Sequence, residues 1–218
     1  MLDVKNFIAK RVAYELNDGD VVNLGIGIPS LVANHVPKGK RVFVQTENGI
    51  LGQGPAPATG QEDKAILDAS SAFTTVLPGG KFYDSAGSFG LIRGGHVDVT
   101  VLGALQVDER GNLANWHIPG KMLVGIGGAM DLVTCAKKVI VAMEHTAGGK
   151  AKIMKKCTYP LTAPGVVDVI ITEMGVIDVT EKGLVLREIA PWATVEGIQA
   201  ITEAPLKVSD NLKDIPTI

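Results

Sequence analysis

The chain has 218 residues, 46% hydrophobic and 20% charged, with 21 Lys and Arg against 23 Asp and Glu and a formal net charge of −2. That apolar content is enough for one substantial core or two small lobes, and it excludes an intrinsically disordered chain. The charge balance argues against a nucleic-acid footprint: Lys150, Lys152, Lys155 and Lys156 form the one dense basic patch, which reads as a solvated face.

From the N-terminus, Val4, Ile8, Val12 and Leu16 recur at i+4 with Phe7 beside them and Lys10, Arg11 and Glu15 between. The spacing predicts an amphipathic helix over Met1 to Leu16, stopped by the turn Asn17-Asp-Gly. No signal-peptide pattern is present, and no later run approaches the roughly 18 apolar residues that span a bilayer. The expected compartment is the cytoplasm, or an organelle matrix after processing, with no membrane partner. Apolar strand patterns then follow at Val21 to Ile26, Arg41 to Gln45, Val97 to Leu102, Lys138 to Met143 and Val167 to Thr172. Such unbroken runs suit a sheet covered on both faces. Helices are expected between them at Ser30 to Val36 and Gln61 to Ser70, and another from about Val195 to Thr202 capped by Thr194. Leu105 to Trp116 reads as a hairpin around Asp108 to Asn112, and Gly175 to Arg187 as a second around Glu181-Lys-Gly. The expected fold is α/β, a mainly parallel sheet flanked by helices with added antiparallel hairpins. No linker or repeat divides it, so residues 1–218 are expected to form one domain.

The second strand pattern delivers Glu47 into an Asn48-Gly49 turn and then a Gly52-x-Gly54-Pro55 loop. Strand ends of α/β sheets face the crevice where ligands bind, so a carboxylate there can meet one. Taken alone, a Glu beside a turn is more often a solvated charge. Gly25-Ile-Gly27-Ile-Pro-Ser30 imitates a dinucleotide fingerprint, with Glu47 about 20 residues on as the ribose-binding acid, although Ser30 replaces the third glycine. Gly79-Gly80-Lys81 and Gly148-Gly149-Lys150 lack the spacing of a phosphate loop and read as turns. Gly125 to Asp131 could present consecutive backbone N–H groups to an oxyanion, or simply join a strand to a helix. His35, His96, His117 and His145 form no catalytic or metal set and read as surface or supporting residues. Cys135 and Cys157 lie too far apart for a dithiol motif and read as buried or inert. H-E-x-x-H and G-x-S-x-G are absent from the sequence, which removes support for zinc hydrolysis and elbow-type serine hydrolysis.

Thr46-Glu47-Asn48-Gly49 with its glycine-proline loop is followed in order by Leu77-Pro-Gly-Gly-Lys-Phe-Tyr-Asp-Ser85, Arg93-Gly-Gly-His-Val-Asp98, Asn115-Trp-His-Ile-Pro-Gly120 and Gly125-x-Gly-Gly-Ala-Met-Asp131. Together these closely resemble the β subunit of family I 3-oxoacid CoA-transferases, over nearly the whole chain. The resemblance implies the CoA-transferase fold and makes Glu47 the covalent catalyst, with Thr46 in place of the family's usual serine. It implies a ping-pong route through an acyl-glutamyl anhydride and a glutamyl-CoA thioester. Coenzyme A is then a substrate, and no metal or permanently bound cofactor is needed. A carboxylate is already ionised at neutral pH and attacks without a general base. Gly127 and Gly128 are the candidates for oxyanion or CoA contacts, Asn48 for orienting the glutamate or the acyl carbonyl, and Gly49 for close packing of the loop. The resemblance further implies an α subunit, commonly in an α2β2 assembly, without which this chain is inactive or nearly so. Three other readings stay open at this point: an acyl-CoA hydrolase using the same glutamate, a nicotinamide-dependent reductase using Gly25, Gly27 and Glu47, and a non-catalytic binding subunit. The acid pair is not legible beyond a short 3-oxo or straight-chain acid.

Overall fold

The computed structural model describes residues 3–123 and 125–216. Among them a ten-stranded sheet is built from β1 (Val21–Leu24), β2 (Phe43–Gln45), β3 (Ile50–Gln53), β4 (Val76–Phe82), β5 (Val99–Leu102), β6 (Lys138–Ala142), β7 (Val169–Ile171), β8 (Gly175–Thr180), β9 (Gly183–Ile189) and β10 (Leu206–Asp214). Its spatial order is β10-β9-β8-β7-β6-β5-β1-β2-β3-β4. The five central strands, β7-β6-β5-β1-β2, are all parallel. Antiparallel pairs extend them at both sides, β2-β3-β4 at one and β7-β8-β9 at the other, and β10 then adds parallel to β9.

The central strands are apolar on both faces because both are covered. Val139 and Val141 of β6 join one hydrophobic cluster while Ile140 and Ala142 join the other, and Ile170 of β7 opposes Val169 and Ile171 in the same way. That is the two-residue alternation of a strand. Helix α1 (Val4–Ala13) covers one face with Ile8, Ala9, Val12 and Ala13. Helices α2 (Ser85–Arg93) and α3 (Ala129–Cys135) cover the other with Ile92, Leu132 and Val133. A fourth helix, α4 (Val195–Ala200), starts at Thr194, whose hydroxyl accepts the Gly197 N–H. No helix among the described residues is long and apolar enough to cross a membrane.

Both expected hairpins form, at residues 106–108 with 113–114 and as β8-β9. Four expectations need correction. The N-terminal helix is shorter than the i+4 pattern: Asp3 caps its start by accepting the Asn6 N–H, it ends at Ala13, and Met1 and Leu2 lie outside the described residues. The expected helix at Ser30 to Val36 is a 3-10 helix, Pro29–His35. Gln61 to Ser70 is not helical. The Asp68 carboxylate accepts the N–H groups of Ser70 and Ala72, and such local side-chain bonds compete with helical ones. Gly79-Gly80 lies inside β4 rather than in a turn, against a register shift between Leu51 and Gln53 of β3.

Candidate active site

Strand β1 pairs with β5 on one side and β2 on the other, so the chain leaves this pair of strands in opposite directions. The crevice at the carboxyl ends of such strands is the natural ligand site of an open α/β sheet. A cleft of about 1180 Å³ opens there, lined by Gly25 and Ile26 after β1, Glu47 after β2 and Gly103 after β5. The Gly127-Gly128 loop, which leads into α3, closes on the same cleft.

Glu47 sits half-buried on the turn between β2 and β3. Thr46 N–H donates to Ile50 O at 2.7 Å, Gly49 N–H to Thr46 O at 3.0 Å, and Ile50 N–H to the Thr46 hydroxyl at 3.0 Å. The hydroxyl that threonine shares with serine therefore ties the turn together. Gly49 has φ +117, and a Cβ there would collide with the carbonyl of Tyr83, which follows β4. Only glycine combines that backbone angle with that approach.

The carboxylate of Glu47 meets the glycine loop directly. A Cβ on Gly128 would lie 2.6 Å from Glu47 Oε2 and 3.2 Å from the Phe89 ring, and one on Gly127 would lie 3.6 Å from Oε1. Two segments 80 residues apart in sequence thus come together, a bare glycine backbone against both oxygens of one carboxylate. Among the described residues no hydrogen bond or ion pair engages that carboxylate.

Other candidates lie elsewhere. Asn48 does not line the cleft; its side chain donates to the carbonyl of Leu67 at 2.9 Å, tying the Glu47 turn to the loop of residues 61–73. Gly25 lines the cleft, but Gly27 does not, and β1 runs into a seven-residue 3-10 helix instead of the α-helix on which a dinucleotide fingerprint depends. His145 is not exposed and does not line the cleft. It is fully buried between the hydroxyls of Thr172 and Thr202 at 3.0 and 2.8 Å, and burial, aided by the charge of Lys152, pushes its pKa down to about 4. Burial, with Asp108 nearby, pushes the Cys157 thiol up to about 12, which keeps it protonated and unreactive.

Sequence reading missed the polar cluster beneath the turn. Asn23, Gln45, Thr46 and Ser88 are all buried. Asn23 Nδ2 donates to Gln45 Oε1 at 2.8 Å, and Gln45 Nε2 donates to Thr46 O and Ser88 Oγ, both at 2.9 Å. A signal was present: Asn23 and Gln45 interrupt otherwise apolar strands, and buried polar side chains are kept where they are hydrogen-bonded.

Comparison with known proteins identifies the family. The family profile described as Coenzyme A transferase matches residues 5–200. The chain is 51% identical over 212 residues to the beta subunit of the acetate CoA-transferase of Escherichia coli K12, covering 97% of each. It is 45% identical over 213 residues to one subunit of a probable succinyl-CoA:3-ketoacid coenzyme A transferase of Bacillus subtilis, covering 97% of this chain and 99% of that one. Its fold superposes with TM-score 0.78 on an acyl-CoA transferase from Escherichia coli O157:H7 at 24% identity, covering 99% of this chain but 44% of that longer one. A carboxylate facing a glycine loop at the sheet's switch point, on a chain this similar to single CoA-transferase subunits along its whole length, places the protein among enzymes of the CoA-transferase type: it belongs to the coenzyme A transferase family.

Proposed function

We propose that this chain is the catalytic β subunit of an enzyme that moves CoA between a short-chain acyl-CoA, 3-oxoacyl-CoA included, and a free carboxylic acid, with Glu47 as nucleophile. The observation that carries this reading is the Glu47 carboxylate in the cleft with the Gly127-Gly128 backbone against both its oxygens. A Glu47 oxygen attacks the thioester carbonyl, the C–S bond breaks, and CoA thiolate leaves an acyl-glutamyl anhydride. The thiolate then attacks the glutamyl carbon of that anhydride, releasing the first acid and forming a glutamyl-CoA thioester. A second carboxylate repeats these steps in reverse and restores Glu47. One thioester replaces another, so the exchange balances without ATP.

Each attack builds an oxyanion, and a well-placed backbone donor stabilises such a charge by about 3 to 4 kcal/mol. Gly127 and Gly128 N–H groups are the donors under this reading. The curated relatives that match along their whole length are each named as one subunit of a transferase, and the chain spans 44% of the acyl-CoA transferase structure it resembles. Both facts support a partner α subunit, and an α2β2 assembly is the arrangement we propose for the pair. The substrates are water-soluble, and the cytoplasm is the compartment we propose. The test is initial-rate kinetics of the native complex at several fixed acid concentrations. Parallel double-reciprocal lines, and loss of transfer in Glu47→Gln, are expected; intersecting lines would overturn the ping-pong route.

A further inference from the structure

Beyond the nucleophile, we infer that Gln45 and Ser88 are positioning residues that aim Glu47 at the glycine loop, with helix α2 as the strut between the two halves of the site. This inference rests on Glu47 being the nucleophile. The carbonyl oxygen of Thr46 accepts three hydrogen bonds, from Gly49 N at 3.0 Å, Gln45 Nε2 at 2.9 Å and Ser88 Oγ at 3.0 Å. That oxygen belongs to the peptide plane that carries the nitrogen and Cα of Glu47, and a peptide bond is rigid. Holding the oxygen therefore holds the root of the nucleophilic side chain. The donors are themselves fixed away from water: Gln45 and Ser88 are each 1% exposed, and Asn23 grips the opposite end of the Gln45 amide.

The same helix holds the other side of the site. Phe89, next to Ser88, touches the space a Cβ on Gly128 would fill, at 3.2 Å. One turn on, Arg93 lies over the Phe89 ring at 5.4 Å and pairs with Asp131 of α3 at 2.7 Å, just beyond the glycine loop. Through Ser88 on one side and Phe89 with Arg93 on the other, α2 sets the distance between the carboxylate and the backbone that faces it. Covalent chemistry tolerates errors in such a distance of only about 0.5 Å. A cluster that merely satisfied buried polar groups would affect stability; one that aims the nucleophile must affect the chemical step.

The test uses the native complex recovered through this chain, carrying Ser88→Ala or Gln45→Met, with Glu47→Gln as control. Each variant is expected to lower kcat about tenfold with the KM for acyl-CoA within twofold, and to slow formation of the CoA adduct on the Glu47 peptide in proportion. If Ser88→Ala fails to assemble, Gln45→Met, which preserves side-chain length without the amide, is read in the same way. Adduct formation at the wild-type rate in the assembled variants would overturn the positioning role while leaving the nucleophile in place. No adduct in the wild-type complex would instead remove the nucleophile, and this inference with it.

Discussion

At the scale of single residues, Gly128 makes the most direct prediction. Its missing side chain is what lets the Glu47 carboxylate lie against the loop, since a Cβ would intrude to 2.6 Å from Oε2. Gly128→Ala keeps every backbone donor but displaces the nucleophile, and a displacement of about 1 Å costs about a hundredfold in rate. Steady-state kinetics should show that loss in kcat, with the melting temperature near that of the parent. The positions of Glu47 at a strand end and of the glycine run before a helix were legible from local pattern, whereas the roles expected of them came from the family resemblance. Asn48 shows where that reading stops. It was expected to orient the glutamate or the acyl carbonyl, yet its amide bonds the Leu67 carbonyl, and no local pattern encodes which side of a turn a side chain takes.

At the scale of elements, α1 is fastened to the sheet by ions as well as by its apolar face. Arg11, 5% exposed, pairs with Glu188 of β9 at 2.6 Å and with Glu15 at 2.7 Å, while Lys138 of β6 reaches Glu15 at 2.9 Å. Arg11→Ala leaves the Glu188 carboxylate without its partner, while Glu15 keeps Lys138, and should cost about 3 kcal/mol in urea unfolding. Burial alone would raise the Glu15 pKa, but hydrogen bonds from Lys138 and Arg11 hold it at about 2. Its contribution is therefore present above the unfolded value of 4.5 and is lost as pH falls toward 2. His145 acts earlier. With its folded pKa depressed to about 4 from 6.5, its neutral burial favours the fold fully above pH 6.5 and progressively less down to pH 4. The melting temperature should fall across that window, and His145→Gln should flatten the fall. The central strands were legible because burial on both faces leaves unbroken apolar runs. β10 was not, since its exposed edge alternates too weakly to stand out, and neither was the loop at 61–73, whose Asp68 turn overrides a helical pattern.

For the whole molecule, the fold brings together residues from four separate stretches of sequence at one crevice, Gly25-Ile26, Glu47, Gly103 and Gly127-Gly128, yet the cleft at Glu47 is large for a single carboxylate. Transfer activity of the isolated chain should be at background and return on mixing with the α subunit; an ordinary turnover rate from the chain alone would refute the need for a partner. The expectation of a partner came from resemblance and not from local pattern, because a surface completed by another chain leaves no periodic signature of its own. The most direct test of the account is intact mass and peptide mapping of the native complex after incubation with acetoacetyl-CoA and borohydride trapping, with Glu47→Gln as control. We predict a modification confined to the Glu47 peptide and absent from the variant, whereas an active complex with Glu47 unmodified would contradict the covalent mechanism.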